Sequence, residues 1–177
     1  MKVRLHLGGK DLFSEEKWSM IHEAFEFYIK EYELDVYDQS LYVKFPPKMP
    51  PTYGLDCTRG QCTTYFERVN GKFKPSSFKI EINSDAPMRK ILEVIFHEMT
   101  HVMQALRGDI DRQLDGSEFY RGVHYSVDIL TKPTYKQYRN FPWEVEAREV
   151  ASSMLKKWNE AHGVKESFWT KLINFWR

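Results

Sequence analysis

The chain has 177 residues, enough for a hydrophobic core, and no composition shift, repeat or linker divides it, so we expect a single domain over residues 1–177. Charged residues make up 29% of the chain, but they nearly cancel to a net charge of +1. Because proteins that bind nucleic-acid phosphates carry a basic excess, this balance predicts no nucleic-acid partner.

The first ten residues lack the long apolar run of a signal peptide, because Gly8 and Gly9 end the first apolar segment. No stretch of the sequence approaches the roughly 20 apolar residues that cross a membrane. We therefore expect a cytoplasmic protein with no membrane partner, and we expect it to be a monomer.

Short apolar segments in the first third of the chain predict two strands and one helix. Alternating residues predict a strand over 3–7, and Ser14 is placed to cap a helix that begins at Glu15. A second short strand is predicted over 41–45. A loop follows it, because four prolines lie within 46–51.

A tight turn at Asn70 and Gly71 separates the next two predicted strands. The first, over 62–69, is rich in β-branched and aromatic residues. The second, over 78–83, alternates apolar and charged residues, as a half-buried strand does. Its core-facing residues would be Phe78, Ile80 and Ile82, and its water-facing residues Lys79 and Glu81.

Two cysteines, Cys57 and Cys62, flank a predicted turn. Two are too few for a disulfide framework, and their spacing is only a weak zinc signal. We interpret them as two reduced thiols that face each other.

Residues 91–106 are predicted to form a helix that is apolar on nearly all sides and contains the sequence HEMTH. Residues four apart project from the same helix face, so His97 and His101 can direct ring nitrogens at one metal ion. Glu98 lies beside that face, where it can reach a water on the metal but not replace a ligand. This HExxH pattern is typical of zinc peptidases. The alternative is a chance match, but burying these groups without a metal would be costly.

The segment after the motif helix is polar. Residues 109–121 contain several aspartates, but their spacing misses the EF-hand pattern, so we interpret them as a solvated loop rather than a calcium site. Residues 122–138 are expected to be irregular, and they contain His124, Tyr135 and Tyr138.

Catalytic zinc usually takes three protein ligands, so the two histidines require a third. The motif version that ends in a third histidine is excluded, because Gln104 and Arg107 occupy its glycine and histidine positions. The alternative is an acid on a helix that is predicted to begin at Pro142. On that helix Glu144 has the phase of the apolar stripe, whereas Glu146 falls on the polar side and is expected at the surface. Stabilisation by the helix dipole is the other explanation for Glu144, but it would apply equally to Glu146.

A short amphipathic helix is predicted over residues 165–177. Its aromatic and aliphatic side chains favour packing on the core. The alternative is a helix that binds a partner or covers a groove.

The HExxH motif followed by Glu144 and Ala147 resembles the gluzincin zinc metallopeptidases, most closely their small single-domain members from bacteria and phages. The resemblance covers about residues 78–158. It implies a zincin-like α+β fold, in which a small mixed or antiparallel sheet places an edge strand over the buried motif helix and a second helix carries a ligand. Strand 78–83 would be that edge strand, beside an extended peptide. The chain departs from the family at Arg148, where an Asp or Asn is frequent.

The resemblance implies hydrolysis of a peptide or protein substrate by a Zn2+ ion bound to the two motif histidines and Glu144. Zinc would activate a water, and Glu98 would be the general base. The oxyanion would need a further donor. His124, Tyr135 and Tyr138 are candidates because they lie between the two ligand segments, although each could equally be a core or loop residue.

A second hypothesis is a catalytically silent binding module that keeps this fold and acts on a partner protein. An intact Glu98 argues against it, because a protein that only binds does not need that carboxylate. A protease that acts near nucleic acids is a third hypothesis, but the near-neutral charge does not support it.

Overall fold

A four-stranded mixed sheet is the larger of two sheets in the computed structural model, which describes residues 3–49, 59–131 and 133–164. Its strands are β1 (Arg4–Leu7), β2 (Ser40–Lys44), β3 (Gly60–Val69) and β4 (Lys72–Ile82). They lie in the order β1-β2-β4-β3. The β1–β2 and β2–β4 pairs are parallel, whereas β3 and β4 are antiparallel. The predicted α+β class with a small mixed sheet is therefore confirmed.

Helices and a second sheet complete the described part of the chain. The helices are α1 (Glu15–Glu31), α2 (Met88–Leu106), α3 (Val127–Thr131), α4 (Tyr135–Arg139) and α5 (Pro142–Ala161), with short 3-10 helices at Lys10–Leu12 and Leu34–Val36. The second sheet is antiparallel and consists of β5 (Ile110–Arg112), β6 (Glu118–Tyr120) and β7 (Val123–Tyr125). Among these described helices, none combines the length and apolar character needed to cross a membrane.

Local sequence signals explain where several elements begin and end. The Ser14 side chain accepts a hydrogen bond from the backbone N–H of Lys17 and caps α1, as predicted. Asn70 and Gly71 have positive φ angles of 52° and 81°, so they form the predicted tight turn between β3 and β4. Pro142 opens α5, where its missing N–H costs no helical hydrogen bond.

Helix α2 lies at the centre of the packing, against α1, α5, β3 and β4. One hydrophobic cluster joins it to the inner face of the main sheet and to α1 and α5. Buried members of this cluster include Phe25, Tyr28, Phe78, Ile80, Leu92, Met99, Met154 and Trp158. The polar residues on the inner side of α2, which are Glu98, Thr100 and Gln104, therefore lie inside the molecule, where each needs a partner.

Strand β4 lies between β2 and β3, so the prediction of an edge strand over 78–83 is wrong. Its buried face is formed, as predicted, by Phe78, Ile80 and Ile82. On the other face Lys79 and Glu81 are partly exposed and form a salt bridge of 2.9 Å. The alternation of apolar and polar residues shows which face of a strand is buried. When only one face of a sheet is buried, central and edge strands have the same alternation, so the pattern does not distinguish them. The edge strand that contacts α2 is β3.

The second sheet spans residues 110–125, so the prediction of a solvated loop over 109–121 is wrong. Its strands are only three residues long, which is too short for a pattern of alternation to be recognised. The turn between β6 and β7 places Arg121 and Gly122 at positive φ, 48° and 82°, without the Asn or Asp that usually signals such a turn. Residues 122–138 contain β7, α3 and α4 and are not irregular throughout.

Two predictions concern residues outside the described part of the chain. They are the amphipathic helix over 165–177 and the position of Cys57. Cys62, whose thiol was predicted to face that of Cys57, lies in β3 as a free thiol.

Strand β3 passes α2 at Gly60, where the two elements approach too closely for a side chain. A Cβ atom on Gly60 would lie 2.3 Å from Cγ1 of Val94 and 2.7 Å from Oε1 of Glu98. Both distances are well inside van der Waals contact. Glycine at this position therefore sets the spacing between the edge strand and the motif helix.

We expect Gly60→Ala to lower the free energy of unfolding by about 1–3 kcal/mol, because the added methyl group must displace β3 from α2. Chemical denaturation measures the change. Gly8→Ala is the matched control, since a Cβ there would lie 3.6 Å from the carbonyl oxygen of Val43. It should change stability by less than about 0.5 kcal/mol. Equal stabilities of the two variants would contradict this description of the β3–α2 contact.

Candidate metal centre

The three predicted metal ligands converge where α2 meets α5. His97 and His101 lie one turn apart on α2, and Glu144 lies in the first turn of α5. Nε2 of His97 is 3.4 Å from one carboxylate oxygen of Glu144, and Nε2 of His101 is 3.2 Å from the other. One ligand atom from each residue lies within 4.8 Å of the others. The cluster can therefore hold a metal ion.

The nitrogen–oxygen distances match those between donors that share one ion. Two donors at about 2.0–2.1 Å from a tetrahedral zinc ion are about 3.3 Å apart. A charge-assisted hydrogen bond between the same groups would be shorter, about 2.7–2.9 Å. The distances of 3.2 and 3.4 Å are therefore compatible with donors that surround one cation.

In the metal-free protein the ligands compensate one another's charge. Burial lowers the pKa of His101, but the Glu144 carboxylate outweighs this effect and raises that pKa to about 9. Burial also raises the pKa of Glu144, but the two histidines outweigh it and hold the pKa far below the ordinary carboxyl value. A metal ion must replace the proton on His101, so metal binding releases a proton near neutral pH.

Glu98 lies next to His97 in the chain and has only 5% of its surface exposed. The backbone N–H of Cys62 on β3 donates to its carboxylate, and Gly60 packs against it. Burial raises the pKa of Glu98, while the charges of the two motif histidines and the Cys62 hydrogen bond oppose that rise. The edge strand thus holds in place the carboxylate predicted as general base.

Gln104 is completely buried and links the two ligand-bearing helices. Its Oε1 lies 2.9 Å from Nδ1 of His101. Its Nε2 donates to the carbonyl oxygen of Trp143 at 3.0 Å and to the Glu146 carboxylate at 2.8 Å, and it lies 3.5 Å from the Tyr120 hydroxyl. This role of Gln104 was not predicted from the sequence. The available signal was a polar residue in an apolar helix, three positions after a ligand.

Glu146 is not the free surface residue that the helical phase predicts. Its carboxylate accepts hydrogen bonds from Gln104, from the Tyr120 hydroxyl and, at 2.7 Å, from Arg121. Burial raises the pKa of Glu146, but these donors outweigh it and lower the pKa. The prediction failed because the second sheet, which the sequence did not predict, supplies Tyr120 and Arg121 on the polar side of α5.

The three candidate oxyanion donors lie on β7 and α4. The His124 ring packs against a phenylalanine of β6, with 5.0 Å between ring centroids. An arginine of α4 lies over the Tyr135 ring, and the Tyr138 ring contacts Phe141 at 6.4 Å. These contacts describe local packing, so an oxyanion role for any of the three stays a prediction.

No protein-family model, curated protein or solved structure matches the chain. The resemblance to gluzincins therefore stays a prediction from the HExxH motif and the later glutamate. What the structure shows is a cluster of His97, His101 and Glu144 that could hold a metal ion.

We expect His101 in the metal-free protein to titrate near pH 9 in an NMR experiment, because Glu144 stabilises its protonated form. Glu144→Gln should lower the midpoint, since only Glu98 and Gln104 would then oppose the effect of burial on the pKa of His101. The raised pKa of His101 also makes the stability of the folded protein depend on pH. The contribution of the pair is complete between the ordinary pKa values of 4.5 for the carboxyl and 6.5 for the ring, and it is lost as the pH rises through about 9. A wild-type midpoint at or below 6.5 would contradict the ion pair.

Proposed function

We propose that the protein is a zinc-dependent metallopeptidase that hydrolyses peptide bonds with a metal-activated water and a glutamate base. One observation carries the proposal. The nitrogen atoms of His97 and His101 lie 3.4 and 3.2 Å from the Glu144 carboxylate, beside the buried carboxylate of Glu98. A ligand set and a proton acceptor placed together are what metal-assisted hydrolysis requires.

The chemistry of the donors supports zinc as the metal. Two imidazoles and one carboxylate are a common ligand set of catalytic zinc, which keeps a fourth position for water or substrate. His97 and His101 have 21% and 15% of their side chains exposed, whereas Glu144 has 5%. Water therefore has more access to the two histidines than to the carboxylate.

The proposed mechanism gives Glu98 the proton transfers. A bound Zn2+ ion would lower the pKa of a coordinated water and polarise the scissile carbonyl. Glu98 accepts a proton from the attacking water while the water oxygen bonds to the carbonyl carbon. It then passes that proton to the nitrogen of the leaving amine as the carbon–nitrogen bond breaks. Burial of Glu98 beneath β3 holds its carboxylate close to His97, His101 and Glu144, where both transfers would take place.

A zincin-like arrangement is part of the proposal. It is supported by a mixed sheet whose edge strand β3 contacts the HExxH helix, and by a second helix that carries the third ligand. Because residues 78–83 lie in a central strand, we assign the peptide-docking role predicted for them to the edge strand β3 instead. An extended peptide substrate would add to the sheet along β3, close to Glu98. Its backbone would then lie beside the metal ligands with one scissile bond in reach.

We expect Glu98→Gln to reduce peptide hydrolysis by at least about 10²–10⁴-fold while zinc stays bound, because the amide keeps the shape but cannot accept the proton. Hydrolysis of a broad peptide library and metal analysis of the same samples measure the two effects. Glu93→Gln is the matched control, since Glu93 lies on the same helix and forms a solvent-exposed ion pair with Lys90.

Wild-type rates in Glu98→Gln would show that Glu98 is not the base. A wild-type protein that binds zinc but cleaves no peptide in the library would contradict the peptidase and favour the binding module.

A further inference from the structure

The amide of Gln104 has only one orientation that satisfies its neighbours. The Trp143 carbonyl oxygen, 3.0 Å from Nε2, can only accept a hydrogen bond. The Glu146 carboxylate, 2.8 Å from Nε2, is ionised beside Arg121 and can also only accept. The nitrogen of the amide must therefore face α5, and its oxygen must face His101.

This orientation requires a hydrogen on Nδ1 of His101. The Gln104 oxygen is an acceptor 2.9 Å from Nδ1, so Nδ1 must donate. The neutral ring then has its lone pair on Nε2, the atom that faces Glu144 in the ligand cluster. A hydrogen bond to one ring nitrogen is the usual means by which proteins choose the nitrogen that binds a metal.

The partners of Gln104 also connect it to the element that carries the third ligand. Trp143 and Glu146 flank Glu144 on α5, so the Gln104 side chain spans α2 and the first turn of α5. Glu146 is held in turn by Arg121, which also bonds Asp109 at 3.0 Å. The network thus extends from His101 through Glu146 to the second sheet.

In the gluzincins, which this chain resembles, an acid is frequent one position after the alanine that corresponds to Ala147. This chain has Arg148 there. Arg148 donates to the carbonyl oxygen of Arg139 at 2.6 Å and so joins α5 to α4. Gln104 and Glu146 are polar groups beside the ligands that this family pattern does not include.

We propose that Gln104, oriented by Trp143 and Glu146, is the positioning residue that presents Nε2 of His101 to the metal. The inference rests on the proposed function in that it takes His101 as a metal ligand. Gln104 touches neither substrate nor metal and acts only through His101.

The test compares Gln104→Met, which keeps the volume but removes the acceptor, with Gln104→Glu, which keeps an acceptor. Zinc affinity is measured by competition with a chelator. The Nδ1–H resonance of His101 is measured by NMR in both metal-free and zinc-loaded protein. Gln104→Met should weaken zinc binding by about 10–100-fold and abolish the protected Nδ1–H resonance. Gln104→Glu should retain the resonance and bind zinc more tightly than the methionine variant.

A purely structural role for Gln104 predicts the opposite order, because a buried carboxylate beside Glu146 harms packing more than methionine does. Thr100→Val is the matched control. Thr100 is buried on the same helix and bonds Tyr28 and the Phe96 carbonyl, away from the cluster. It should lower stability and leave both readouts unchanged.

Unchanged zinc affinity and an unchanged Nδ1–H resonance in Gln104→Met would overturn this inference and leave the peptidase proposal intact. Absence of hydrolysis by the wild type would contradict the peptidase without affecting either readout. A wild type that binds no zinc would overturn both this inference and the peptidase proposal.

Discussion

The burial of the Glu144 carboxylate between two histidines is the interaction on which the rest of the site depends. A carboxylate removed from water destabilises a protein unless a cation or several donors compensate it. Helix α5 begins at Pro142 and packs against α2, so its first turn delivers this carboxylate to the histidine pair. Ala147, one turn later, is fully buried and lets the helices pack closely. The packing of α5 against α2 and the assembly of the candidate metal site therefore depend on each other.

Two other elements complete the surroundings of this junction. On one side, Gly60 allows β3 to approach α2, and the backbone of Cys62 bonds the predicted base Glu98. On the other side, the second sheet supplies Tyr120 and Arg121, which hold Glu146 and through it the Gln104 amide. Substitutions in either element would thus affect the site residues through these hydrogen bonds, even though neither element supplies a candidate ligand.

The convergence of His97, His101 and Glu144 was predictable because helical periodicity is local. One turn of helix places both histidines on the face that meets Glu144. The edge strand was not predictable, because strand order depends on distant segments, and β4 is flanked by β2 and β3. The second sheet was missed because its strands are short and its β6–β7 turn uses Arg121 and Gly122. That omission alone made Glu146 look like a surface residue.

Anomalous diffraction at the zinc absorption edge, from crystals of the zinc-loaded protein, tests the central claim most directly. We predict one strong peak per chain, at about 2.0–2.2 Å from Nε2 of His97, Nε2 of His101 and a carboxylate oxygen of Glu144. A peak at any other set of side chains, or none at these three in protein that contains zinc, would contradict the account.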